Sequence, residues 1–137
     1  PMERSLVLIK PDGVKRNLIG KIINAYEEEG LVIDELKKIN PLPWQAEEHY
    51  KEHIDRPFYP GLIESLLSSP IVAMVVSGDN AIERIRRING ATDPKKADPE
   101  TIRGRFGLEL PDNTVHASDA LESADREIAI WFGEIEL

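Results

Sequence analysis

The stretch Ile71-Val72-Ala73-Met74-Val75-Val76 is the longest strictly apolar run in the chain. It is far shorter than the ~20 residues a membrane-spanning helix needs. Its branched side chains and its length suit a central β-strand, so the chain must fold as a sheet with other elements packed on it. The 137 residues suffice for one domain and are too few for two ordinary ones, so residues 2–137 are expected to form a single domain. Pro1 ahead of Met2 reads as an addition before a natural start, and no charged-then-apolar leader follows it.

Hydrophobic residues make up 41% and charged residues 31%, a globular balance rather than a disordered one. Acidic residues outnumber basic ones by 25 to 17, a net charge of −8 with histidine neutral. Long-range repulsion therefore excludes general binding to nucleic acid or to anionic membrane, while leaving room for a local basic pocket for a small anion. There is no cysteine, which excludes disulfides, thiolate zinc sites and a cysteine nucleophile. A reducing, cytoplasmic setting fits that composition.

Leu6 to Ile9 reads as a short buried strand that stops at the turn sequence Lys10-Pro11-Asp12-Gly13. Ile19, Ile22, Ile23 and Tyr26 then fall on one face of a helix that Gly30 ends. In Leu31 to Ile39 strand-like alternation competes with helix-like spacing, and a branched run after a glycine stop favours strand. Trp44 to His53 is helix-prone and must break at Arg56-Pro57-Phe58-Tyr59-Pro60-Gly61, with a second short helix from Leu62 to Leu67. Beyond the central strand, Asp79 or Asn80 caps a helix carrying Ile82, Ile85 and Ile88, closed by Gly90. Asp119 caps a final helix with Leu121, Ala124, Ile128 and Phe132 on one face. Three or four strands with these helices suit an α+β sandwich, helices on one face of an antiparallel sheet.

Gly90 to Thr114 is a long stretch poor in apolar residues, and loops of that length are usually functional or disordered. Its Lys95, Lys96, Arg103 and Arg105, in an otherwise acidic chain, mark it as an anion-handling loop. His116 follows directly. Alone, such a histidine is more often a satisfied strand-end residue than a nucleophile. Glu127, however, lies at the margin of the last helix's apolar stripe, where it is either solvated or turned inward. Turned inward, it can hold the imidazole in one tautomer and free the other nitrogen as nucleophile. Arg86, Arg87 and Arg103 suit forked phosphate binding, though each alone also serves as a solubilising charge. Lys10 ends a buried strand, where a charge belongs only if it points into a pocket. Phe58 reads either as a core plug or as a surface on which a base stacks.

A rival pattern is His49-Tyr50-Lys51-Glu52-His53, an H-x-x-E-H spacing that sets two imidazoles one helical turn apart, as in inverted zinc peptidases. No third ligand beyond His116 is evident, and short patterns recur by chance.

Together the pieces closely resemble the nucleoside diphosphate kinase family. The matching stretches are Glu3-Arg4-Ser5-Leu6, Lys10-Pro11-Asp12-Gly13-Val14, Asp55-Arg56-Pro57-Phe58-Tyr59-Pro60-Gly61-Leu62 and Pro70-Ile71-Val72-Ala73-Met74-Val75. Gly90-Ala91-Thr92-Asp93-Pro94, Thr101-Ile102-Arg103-Gly104, Asn113-Thr114-Val115-His116-Ala117-Ser118-Asp119 and Ala124-Asp125-Arg126-Glu127-Ile128 with Trp131-Phe132 complete the set. The resemblance implies a ferredoxin-like βαββαβ fold, a four-stranded antiparallel sheet with added helices and a long nucleotide-site loop at about 90–114. It implies a homo-oligomer, hexamer or tetramer. It also implies ping-pong transfer of the terminal phosphate of a nucleoside triphosphate to a nucleoside diphosphate, with magnesium and with broad tolerance of base and sugar.

By the same resemblance, His116 matches the transiently phosphorylated histidine, and Glu127 with Ser118 the groups that orient it. Lys10, Tyr50, Arg86, Thr92, Arg103 and Asn113 match positions that hold phosphates and ribose. Phe58 and Leu62 match a clamp on the base. Asp119 matches a residue near the magnesium, which it can reach through water, the ion being otherwise held by the phosphates. Arg105 departs from the family, which often has an acidic residue there. Only five residues follow Phe132, where many relatives carry a longer tail, so the subunit number stays open. Two rivals stand beside this reading: a zinc hydrolase using His49 and His53, and a nucleotide-binding module that does not turn over.

Overall fold

The computed structural model describes residues 1–133; the tail from 134 to 137, on which the expectation about subunit number partly rests, lies outside the described residues. Strands β1 (Met2–Ile9), β2 (Val32–Ile39), β3 (Ile71–Asp79) and β4 (Val115–Ala117) form one sheet in the order β2-β3-β1-β4. Every pairing is antiparallel, the register running Leu8↔Ala73 between β1 and β3, Leu8↔His116 between β1 and β4 and Ile39↔Ile71 between β2 and β3. Among the described residues seven α-helices accompany them: α1 (Pro11–Lys15), α2 (Ile19–Glu28), α3 (Pro43–His49), α4 (Tyr59–Leu67), α5 (Ala81–Asn89) and α6 (Ile102–Phe106) between strands, and α7 (Leu121–Phe132) after β4. The order is that of a ferredoxin-like βαββαβ unit with helices added.

Helices cover both faces of the sheet, not one. Strand side chains alternate between faces, so the unbroken apolar run of β3 needs cover on each. One cluster gathers Val7, Ile9, Met74 and Val76 under Ile22 and Tyr26 of α2 and Ile85 of α5. The other gathers Leu6, Leu8, Ala73 and Val75 under Ala46 of α3, Leu66 of α4 and Ile128 and Trp131 of α7. His116 is opposite Leu8 in the register and so faces the second cluster, toward α7.

Several local expectations shift. Helix α4 begins inside the proline cluster, at Tyr59, because Pro60 occupies its first turn, where a missing N–H costs nothing. The Trp44–His53 segment splits into α3 and a single 3₁₀ turn over Lys51–His53. Neither the cap expected from Asp79 or Asn80 nor the one expected from Asp119 forms. Asn80 precedes α5 without capping it, and the Glu3 carboxylate accepts from the Ile82 N–H instead, 3.2 Å away. Ala120 occupies the cap position of α7, with Asp119 accepting from Ser123 Oγ at 2.6 Å. The 90–114 stretch is folded, not open: Asp93 caps a 3₁₀ turn over Pro94–Lys96, and Thr101 caps α6, whose Ile102 enters the first core cluster.

Candidate active site

The C-terminal edge of β1, the short strand β4 and the start of α7 bring the chemistry together. His116 Nε2 lies 2.9 Å from Glu127 Oε1, and Ser118 Oγ donates to the same carboxylate oxygen at 2.8 Å. Glu127 and Ser118 are buried, and the Ser118 hydroxyl oxygen accepts from the Leu6 N–H at 3.1 Å. A carboxylate only accepts, so His116 carries its proton on Nε2 and keeps the Nδ1 lone pair free. The ring is partly exposed in a narrow cleft of about 130 Å³ that it shares with His49, Tyr50, Asp119, Arg126 and Glu127.

Lys10 follows β1 and turns inward, its Nζ donating to Asn113 Oδ1 at 2.9 Å and to the Pro111 carbonyl at 2.5 Å. Burial pulls its ammonium down to about 8, with Asp12 opposing that shift. Asn113 Nδ2 in turn donates to the Thr92 carbonyl at 2.9 Å, which ties the 90–114 stretch to β1; the Thr92 side chain itself stays exposed. Arg103 is gripped by two backbone carbonyls, Gly90 at 2.7 Å and Val115 at 2.9 Å. Burial lowers its pKa, and the like charge of Arg86 adds to that. Arg86 and Asp119 share a neighbouring open cleft of about 380 Å³. The Ser123 hydrogen bond holds the Asp119 carboxyl below its ordinary value, so it remains charged.

Phe58 is 53% exposed and stands at the head of α4, one helical turn from Leu62, whose N–H donates to the Phe58 carbonyl. Such exposure argues against a core plug and leaves a flat apolar face beside His53, ring centres 5.4 Å apart. Burial raises the pKa of the Tyr50 hydroxyl, so Tyr50 remains a neutral donor. Other expected cations do not converge: Arg87 pairs with Glu83 on the surface, Lys95 with Glu109, and Arg105 lies over the Phe106 ring at 4.5 Å.

His49 belongs to this site in a way its spacing did not suggest. It is buried, its ring stands edge-on to His116 with centres 4.3 Å apart, and its Nδ1 accepts from Trp131 Nε1–H at 3.2 Å. Burial keeps it neutral, its pKa well below the ordinary value. His53 sits on the 3₁₀ turn against Phe58 and lines the same cleft, but it is not in the group that could share an ion. Among the described residues, the histidine and carboxylate groups close enough to share an ion are His49, His116 and Glu127. The Trp131 hydrogen bond fixes the proton on His49 Nε2, which opposes ligation there.

The nucleoside diphosphate kinase family model matches residues 3–137. The chain belongs to the nucleoside diphosphate kinase family. A nucleoside diphosphate kinase of Clostridium perfringens is 52% identical over 136 residues, covering 98% of this chain and 94% of the relative. One from Picrophilus torridus is 52% identical over 99% of both chains. Among solved structures, the nucleoside diphosphate kinase of Aquifex aeolicus superposes with a TM-score of 0.93 at 41% identity, over 96% of each chain. That of Encephalitozoon cuniculi does so with 0.94 at 38%, over 96% of this chain and 90% of the other.

Proposed function

We propose that the chain transfers the terminal phosphate of a nucleoside triphosphate to a nucleoside diphosphate through phosphohistidine at His116. The observation that carries this reading is the shared Glu127 oxygen, which takes both the His116 and Ser118 donors and so leaves Nδ1 as the free nucleophile. Nδ1 attacks the terminal phosphorus, the bond to the bridging oxygen breaks, and the nucleoside diphosphate departs with that oxygen. The ring gains a positive charge as it is phosphorylated, and the Glu127 carboxylate lies against it. A second diphosphate then takes the phosphoryl group by the reverse displacement.

A phosphoryl group in flight spreads charge over three oxygens, so positioning and cationic donors do most of the work. Lys10, Arg86 and Arg103 supply the charge, and Tyr50, Thr92 and Asn113 supply donors. Phe58 and Leu62 clamp the base. Stacking reads only a π-face, hence broad base tolerance. Magnesium suits this donor set, because the ionised Asp119 carboxylate at the cleft is a hard oxygen donor of the kind that an ion held mainly by phosphates takes. When bound, the ion neutralises phosphate charge.

No helix among the described residues is long and apolar enough to cross a membrane; a cytoplasmic single-domain protein suits the cysteine-free composition. The outer edge of β2, with Val32 and Leu36 more than half exposed, favours a homo-oligomer, hexameric or tetrameric. Initial-rate kinetics with varied donor and acceptor test the mechanism: a ping-pong route gives parallel double-reciprocal lines, and intersecting lines contradict it.

A further inference from the structure

A buried polar pair borders the first core cluster. The Tyr26 hydroxyl, fully buried on α2, donates to Asn89 Oδ1 at 2.6 Å, and Asn89, the last residue of α5, is 1% exposed. Its Nδ2 has no partner among the described residues. Stability does not account for the pair, since apolar groups of the same shape there would be neutral or better, and an orphaned amide costs free energy. The backbone immediately after Asn89 does account for it. Gly90 takes φ +87°, and a Cβ there would fall 2.3 Å from the Thr101 hydroxyl that caps α6. The Gly90 carbonyl grips Arg103 from one side, while the Val115 carbonyl, one residue before His116, grips it from the other.

We infer that Tyr26 and Asn89 are positioning residues for Arg103, their hydrogen bond fixing the end of α5 and with it the direction of the Gly90 carbonyl. The inference rests on Arg103 binding phosphate. Tyr26 also lies near enough to the guanidinium for each charge state to affect the other, and burial keeps its hydroxyl protonated.

The test is a cycle of Tyr26→Phe and Arg103→Ala, read as the rate of phosphoenzyme formation from ATP under single-turnover conditions, with thermal midpoints alongside. Tyr26→Phe is expected to slow that step about tenfold, the kinetic equivalent of one hydrogen bond's worth of alignment. In the Arg103→Ala background the same change is expected to add less than twofold. Equal losses in both backgrounds, or no loss in either, overturn the inference while leaving the role of Arg103 intact. An Arg103→Ala variant as fast as the parent overturns both. The pair Tyr26→Phe with Asn89→Leu separates alignment from stability. Its midpoint should return to the parent value or above while the rate stays low, and a restored rate overturns the inference.

Discussion

His116 Nε2 and Ser118 Oγ meet at one oxygen of Glu127, at 2.9 and 2.8 Å. This three-way contact joins β4 to α7 and decides which ring nitrogen is free. Glu127→Gln keeps the shape but offers an amide that can donate to the ring and favour the wrong tautomer. Phosphoenzyme formation is then expected to slow about 10²–10⁴-fold, the range of losses for a mispositioned acid–base group. Ser118→Ala removes the hydrogen bond to Glu127, about 1 kcal/mol, together with the acceptor of the Leu6 N–H, and is expected to slow the same step by less than tenfold. Stopped-flow or quench-flow measurement of the single phosphorylation step checks both.

Lys10 gives the enzyme a pH dependence with a definite sign. Its folded-state pKa of about 8 lies below its ordinary value, so folding disfavours the charged form. That penalty is fully present below about pH 8 and is relieved as pH rises from about 8 toward the ordinary lysine range. Nucleotide binding runs the other way, because phosphate favours the ammonium. The KM for a nucleoside diphosphate should therefore rise above pH 8, with proton uptake on binding near pH 8–9. Lys10→Met should abolish both effects, as calorimetry in two buffers of different ionisation enthalpy would register.

Phe58→Ala should leave thermal stability unchanged, because the ring is more than half exposed. Base stacking is worth roughly 1–3 kcal/mol, so KM should rise between about fivefold and about 150-fold for purine and pyrimidine nucleotides alike. A loss confined to one base class would point to hydrogen-bonded readout instead.

His49→Phe fills the same space but cannot accept from the indole of Trp131. A stability loss of about 1–3 kcal/mol is expected from the orphaned N–H, largely regained when Trp131→Phe is added. Turnover should survive within about tenfold. Abolished turnover together with stoichiometric zinc in the purified parent protein would favour the hydrolase reading.

The sequence made the sheet legible where periodicity was clean and misled where it was interrupted. In β2 a bulge between Ile33 and Glu35 shifts the side chains by one place, so Ile33 and Leu36 share a face at a helix-like spacing of three. A strand count alone gives a sheet covered on one face, whereas the unbroken apolar run of β3 requires cover on both. In the site, the inward Glu127 was readable from its place beside the apolar stripe of α7. The grip on Arg103 was not, because it uses backbone carbonyls, which no side-chain pattern reports. His49 carried a legible trace only as one of a spaced histidine pair. Its true partner, Trp131, is 82 residues away and meets it only through the packing of α3 on α7.

Intact-protein mass spectrometry at neutral or alkaline pH reads the central claim directly, after mixing with ATP and Mg²⁺ and then chasing with GDP. A single phosphoryl adduct should appear with ATP, vanish with GDP and be missing in His116→Ala that still binds nucleotide. No adduct in a protein that binds nucleotide, or an adduct retained in His116→Ala, would contradict transfer through His116.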